Sequence, residues 1–269
     1  MSLQKELDQV MKCRGGSVLG KKTILKSDHF PGCQNKRLSP QIEGAPNYRQ
    51  ADSLHVHGVA IPTIEGIQNV LKHIGAQSGG RKARVIWFNL REEPVVYING
   101  RPFVLRDVEK PFTNLEYTGI DRERAEQMED RLKEDILLEA ARYGNKILVT
   151  DELPDGHMVD QWEPVSCNSV KTPLEVYKEL QMEGYLVDYE RVPITDEKSP
   201  EEMDFDALVH KISQADVNTE IIFNCQMGRG RTTTGMVIAT LIYLNRIGDS
   251  GTPSSVIFST FLTCALFFW

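Results

Sequence analysis

The chain has 269 residues, 41% hydrophobic and 26% charged, which is ordinary for a soluble globular protein and enough to bury a sizeable core in one large or two small domains. A net charge of −7 excludes general nucleic-acid binding, and the N-terminus carries no apolar signal-peptide core. The five cysteines (Cys13, Cys33, Cys167, Cys225 and Cys264) are widely spaced with no CxxC pair, which excludes a disulfide framework and a zinc site and points to a reducing, cytoplasmic compartment.

Residues 1–47 lack clear periodicity and contain Gly15-Gly16, Pro31-Gly32, Pro40 and Pro46, so they read as a loop-rich segment docked on a main body over 48–248. The charge is uneven. Residues 1–50 hold nine Lys/Arg against four Asp/Glu, a net +5, and the remainder therefore carries −12. Such a basic arm suits a polyanionic ligand, or is only a solvated tail. Gly15 to Lys21 fits the first seven places of the nucleotide-binding G-x4-G-K-[ST] loop, but Lys22 stands where the magnesium-binding hydroxyl belongs and no strong strand precedes it. Nucleotide binding is excluded on that ground.

The pattern then predicts a strand over 55–61 and a helix over 63–74, with Ile64, Ile67, Val70, Leu71 and Ile74 on one face. Ser78-Gly79-Gly80 reads as a turn, and 84–90 as a strand buried on both sides. Val95 to Ile98 and Arg101 to Leu105 flank Asn99-Gly100, a type I′ hairpin signal. Asp121 to Tyr143 is the longest predicted helix, with Ala125, Met128, Leu132, Ile136 and Ala140 on its apolar stripe and Gly144 as its cap. A strand over 146–150 follows. Thr172-Pro173-Leu174-Glu175 is a capping box that opens a helix closed by Gly184. A strand over 185–192 and a helix from Ser199 to about Ala215 lead to the last strand, and a helix over 232–246 ends the regular pattern. Strands alternating with helices make an α/β protein with a largely parallel sheet, helices on both faces and an inserted β-hairpin. From Ser250 to Trp269 the chain has no charge. For this 249–269 tail three readings stand open: a truncated or read-through terminus, a helix replacing core, or a weak membrane anchor.

The most informative stretch is Ile221 to Thr234, which reads as a buried strand, a glycine-bearing loop and the first turn of a helix. Cys225 and Arg231 enclose five residues, Gln226, Met227, Gly228, Arg229 and Gly230. A loop this short can turn its N–H groups around one phosphate, with the positive end of the helix dipole behind them. The same dipoles favour a thiolate at Cys225. The Arg231 fork can bind two phosphate oxygens, and Gly228 and Gly230 supply positive φ angles and close approach.

Together with Asn47-Tyr48-Arg49-Gln50, Leu90-Arg91-Glu92-Glu93 and Ile194-Thr195-Asp196-Glu197, this stretch resembles the phytase-like cysteine phosphatases, from about residue 10 to about residue 248. The resemblance implies the protein-tyrosine-phosphatase fold and a reaction without metal or other cofactor. It implies Cys225 as nucleophile, Arg231 as phosphate clamp, Asp196 as general acid and then base, and Thr232 as a hydroxyl hydrogen-bonded to the thiolate. Arg49 and Glu93 match pocket residues of that family or form a structural ion pair, and Lys21 and Lys22 are candidate contacts for a polyanion. Three positions depart from the family pattern: Asn224 stands where histidine is common before the cysteine, Asn89 replaces an acidic residue, and Glu93 to Val96 contain no histidine. Two functions follow. One is hydrolysis of phosphate monoesters, either inositol phosphates and phosphoinositides or phosphotyrosine, through phosphocysteine. The other is a catalytically weak pseudophosphatase, a scaffold that holds a phosphorylated small molecule or phosphoprotein and turns it over little. A membrane surface is the expected partner only if a phosphoinositide is the substrate.

Overall fold

Alternating strands and helices build two separate sheets in the computed structural model, which describes residues 3–77 and 83–247. In chain order the elements are α1 (Leu3–Cys13), β1 (Thr23–Ser27), β2 (Arg49–Gln50), β3 (Val56–Ala60), α2 (Ile64–His73), β4 (Val85–Arg91), β5 (Val95–Ile98), β6 (Arg101–Asp107), α3 (Arg122–Arg142), β7 (Lys146–Glu152), β8 (Met158–Pro164), β9 (Val170–Lys171), α4 (Pro173–Met182), β10 (Val187–Ile194), α5 (Glu202–Gln214), β11 (Glu220–Cys225) and α6 (Gly230–Arg246). They belong to two units: Met1–Gln34 with Glu92–Lys178, and Asn35–Arg91 with Glu179–Trp269. The predicted turn at 78–80 and the 249–269 tail lie outside the described residues.

The first unit holds a six-stranded sheet in the order β8-β7-β1-β6-β5-β9, in which only β1 and β7 run parallel. The predicted hairpin is its β5–β6 pair, and Asn99 and Gly100 take the two positive φ angles that a type I′ turn requires (50° and 80°). Leu132, Ile136 and Ala140 of α3 pack on Val96, Ile98, Phe103, Leu105, Ile147 and Val149 of the sheet. Asp121 caps α3 by accepting from the Arg124 N–H at 2.7 Å.

The N-terminal segment corrects the expectation of a loop-rich arm. It contains α1 and the central strand β1. Its anchor is Arg14, whose Nε and Nη2 donate to the Glu139 carboxylate of α3 at 3.1 Å each. With both side chains buried, a charge-assisted pair of this kind fixes the segment to α3. The glycine loop that mimicked a nucleotide-binding motif runs from helix to strand, the reverse of what such a loop needs. Its Val18 and Leu19 N–H groups donate to Asp135 Oδ2 at 2.7 and 2.9 Å.

The second unit carries the largely parallel sheet that the alternation predicts. Its order is β10-β4-β11-β3-β2, with β10, β4, β11 and β3 parallel and the two-residue β2 antiparallel at the edge. β11 lies at its centre. Alternation along β11 sends Ile221 and Phe223 into a core with Leu208 and Ile212 of α5 and Met236, Ile238, Ala239 and Leu244 of α6. Two glycines let α6 come close: a Cβ on Gly235 would lie 2.5 Å from the Phe223 ring, and one on Gly58 of β3 would lie 2.4 Å from Met236 Sδ. In the first unit, Thr172 and Glu175 form the predicted capping box at α4, the Thr172 N–H donating to Glu175 and the Glu175 N–H to Thr172 Oγ1. The α5 start falls later than predicted. Glu201 and Asp204 form its capping box, so Ser199-Pro200 stays in the preceding loop.

Candidate active site

Cys225 is the last residue of the central strand β11, and α6 begins five residues later at Gly230. Outside the carboxyl ends of parallel strands is where α/β sheets bind ligands. Gly228 turns the loop with a φ of 67°, and a Cβ there would lie 2.4 Å from the Ala60 backbone nitrogen. Only glycine fits. Gly230 differs from expectation: as the first residue of α6 it has no positive φ, and nothing lies within 4 Å of its Cβ position.

Three backbone carbonyls of the loop are held from the 44–61 segment. The Gln226 carbonyl accepts from the Ile61 N–H at 3.0 Å, the Met227 carbonyl from Asn47 Nδ2 at 2.8 Å, and the Gly228 carbonyl from an Arg49 Nη at 2.7 Å. The other Arg49 Nη donates to Thr233 Oγ1 at 3.0 Å. Arg49 therefore braces the loop and the first turn of α6 through hydrogen bonds to a carbonyl and a hydroxyl. Asn47 went unrecognised in the sequence. Its signal was its place in the Asn47–Gln50 stretch that carried the family resemblance.

Arg231 is buried at 4% exposure in the first turn of α6. One guanidinium nitrogen donates to the Ile194 carbonyl at 3.1 Å, at the end of β10, and the other meets Asp196 Oδ1 at 3.2 Å. Asp196 lies in the turn after β10, closed by the Lys198 N–H to the Thr195 carbonyl, and its side chain is 38% exposed. The fold thus brings Asp196, from the turn after β10, against Arg231 of α6, six residues beyond Cys225 at the end of β11. Arg229 is exposed on the same loop, while Gln226 is buried. Thr232 is fully buried, its methyl directed at Gly58, and its Oγ1 makes no hydrogen bond, so the expected bond to the Cys225 sulfur is not formed.

Asn224 points away from the nucleophile. Its Oδ1 accepts from Trp87 Nε1 at 2.9 Å, and its Nδ2 donates to Asn89 Oδ1 at 3.4 Å. Asn89 Nδ2 in turn donates to the Tyr189 hydroxyl at 3.1 Å. Two of the three family departures, Asn224 and Asn89, thereby form one buried chain across β11, β4 and β10. At the other end of β11, Glu220 accepts from His57 Nε2 at 2.8 Å and His55 Nδ1 at 2.9 Å. Because a carboxylate only accepts, His57 carries its proton on Nε2 and takes the Tyr48 hydroxyl on Nδ1 at 2.9 Å. Burial alone would push the Glu220 carboxyl up, but the two histidine hydrogen bonds outweigh it and hold it below the usual carboxylate value. Burial, then the Glu220 charge, push the Tyr48 hydroxyl well above its ordinary value.

Other sequence candidates lie in the first unit. Glu93 is fully buried there, and its charge acts on Tyr117, which burial first and Glu93 second push up to about 12. Lys21 is exposed, and Lys22 faces Glu109 at 3.9 Å with both side chains in solvent. Lys26 of β1 is buried, with its Nζ 2.7 Å from Glu152 and 4.3 Å from the centre of the Phe30 ring.

The model of the PTP-like phytase family, described by inositol hexakisphosphate, matches residues 88–243, more than half of the chain. The chain belongs to that family. Among curated proteins it is similar to paladin of Gallus gallus, 29% identical over 225 residues that cover 82% of this chain and 24% of that protein. Paladin of Homo sapiens is 30% identical over 233 residues, 79% of this chain and 26% of that protein. The chain thus spans about a quarter of the length of the curated relatives it matches. Among solved structures, a PTP-like phytase from Bdellovibrio bacteriovorus is 25% identical, with a TM-score of 0.54 over 80% of this chain and 68% of that one. The PTP-like myo-inositol phosphatase from Mitsuokella multacida, in complex with myo-inositol-(1,3,4,5)-tetrakisphosphate, is 17% identical with a TM-score of 0.60, over 89% and 40%. That second likeness concerns the fold. Among the described residues no helix is long and apolar enough to cross a membrane.

Proposed function

We propose that this chain is a cysteine-dependent phosphatase that hydrolyses phosphate monoesters through a phosphocysteine intermediate. The observation that carries the reading is the 3.2 Å contact of Asp196 with Arg231, which joins the expected acid to the loop that begins at Cys225. In the proposed reaction the Cys225 thiolate attacks phosphorus while the bond to the leaving oxygen breaks, and Asp196 gives that oxygen its proton. A phosphate oxygen at the Arg231 fork replaces the carboxylate, which turns Asp196 toward the leaving group. Water then attacks the phosphocysteine, Asp196 takes its proton, and the S–P bond breaks to restore the thiolate. Arg231 and the loop N–H groups stabilise the charge on the phosphoryl oxygens throughout.

An inositol phosphate is the proposed substrate class. The family description names inositol hexakisphosphate, and exposed Arg229 adds a second cation to the loop. A second reading, anion binding without turnover, is favoured by Thr232 and Asn224, neither of which supports the sulfur in this structure. Phosphate release separates the two. The wild type should release phosphate from inositol polyphosphates faster than from a phosphotyrosine peptide, and Cys225→Ser should release none. Tight binding with no release by the wild type would sustain the second reading instead.

A further inference from the structure

The contacts of Asn47 and Arg49 bear on how the loop acquires its shape. A trans peptide is planar, so the carbonyl of one residue and the N–H of the next point in opposite directions. The carbonyls of Gln226, Met227 and Gly228 are all drawn toward the 44–61 segment, by the Ile61 N–H, by Asn47 and by Arg49 respectively. The N–H groups on the same three planes belong to Met227, Gly228 and Arg229, and each is therefore turned the other way. Three successive N–H groups on the opposite side of the loop, ahead of the N-terminus of a 17-residue helix, are the arrangement from which anion-binding concavities are built.

We propose that Asn47 and Arg49 are positioning residues for this cradle, setting the Met227–Gly228 and Gly228–Arg229 peptide planes so that the Gly228 and Arg229 N–H groups converge on the bound anion. The proposal rests on the reading of the loop as a phosphate site. It assigns Arg49 a role as a two-point brace, through Gly228 and Thr233, that depends on the shape of its fork as well as its charge. Asn47 is suited to its place by more than its amide. It takes a φ of 57°, which asparagine tolerates, and its Oδ1 accepts from the Asn35 N–H at 2.7 Å while its Nδ2 serves the loop. A left-handed residue with both amide ends engaged can hold the Met227 carbonyl at a fixed distance.

Calorimetric binding of tungstate, a phosphate-like oxyanion, tests the proposal on the full chain. The variants are Asn47→Gly, which keeps the positive φ and removes the amide, and Arg49→Lys, which keeps the charge and removes the fork. Each should bind tungstate about tenfold or more weakly than the wild type, the loss expected for one hydrogen bond to a charged group. The double variant should lose less than the product of the two, because both side chains hold one loop. Thermal melting of each variant is measured alongside. A lower melting temperature with unchanged affinity means a merely structural role and overturns the proposal. So does an Arg49→Lys variant that keeps full affinity, since charge alone would then suffice. A wild type that binds no tungstate removes the cradle reading itself, and is told apart by that control.

Discussion

Asn224 and Cys225 are neighbours in the chain, yet the pleat of β11 directs consecutive side chains to opposite faces of the sheet. Chain position alone makes Asn224 a tuning residue for the thiolate, whereas its contacts with Trp87 and Asn89 make it a structural one. Asn224→Ala should cost about 1–3 kcal/mol in urea unfolding, because the Trp87 N–H is left buried without an acceptor. Asn224→His, which restores the residue common in the family, should also lower stability by displacing that bond. An unchanged urea midpoint for both variants would show the buried chain to be dispensable. Glu220 supplies a pH dependence with a definite sign. Its folded carboxyl lies below the ordinary 4.5, so its stabilising contribution is complete above about 4.5 and is lost as the pH falls through the folded value. Glu220→Gln should remove that part of the acid limb of the stability curve, measured as urea midpoints between pH 7 and pH 3. Variant and wild-type curves that run parallel would contradict it.

The loop and the helix behind it behave as one element, and two glycines within it make contrasting predictions. Gly228→Ala places a Cβ against the Ala60 and Val59 backbone at a positive φ, and should cost about 2 kcal/mol or more and abolish tungstate binding. Gly230→Ala meets open space and gains helix propensity, so its melting temperature should be equal or higher. Equal losses at both positions would mean that the loop is not shaped as described. At the α5–α6 groove, Phe205, Val209 and Leu241 stay exposed, and Leu241→Glu should leave the urea midpoint unchanged while raising solubility. The elements legible in the sequence were those with strong apolar periodicity or caps: α3 with Asp121, α4 with its capping box, and the Asn99-Gly100 hairpin. β1 and β8 were not legible, for different physical reasons. β1 is central but carries Lys26, a buried cation held by Glu152 and the Phe30 ring, and the carboxylate that pairs with it lies 126 residues away in the chain. β8 is an edge strand whose residues are all exposed or half-buried, held by its seven-residue register with β7 rather than by a buried apolar face.

At the scale of the whole molecule, the largely parallel sheet and the position of Cys225 at its centre followed from alternation and motif. The division into two units did not, because residues 1–34 and 92–178 are joined by long-range pairs such as Arg14 with Glu139. The site was legible where its residues form a contiguous motif, Cys225 to Arg231, and where one acid follows a strand, Asp196. Asn47 was missed and Arg49 left between two readings because their task, bracing carbonyls about 180 residues away in the chain, leaves no local pattern. The central claim is that Cys225 accepts a phosphoryl group and Asp196 assists its departure. Asp196→Asn should slow the second step, so the intermediate ought to accumulate. Incubating that variant with an activated aryl phosphate, quenching in acid and locating the phosphate by peptide mass spectrometry tests the claim most directly. Phosphate on Cys225, absent from a Cys225→Ser control, is the predicted result. Phosphate on no residue, or on a residue other than Cys225, would contradict it.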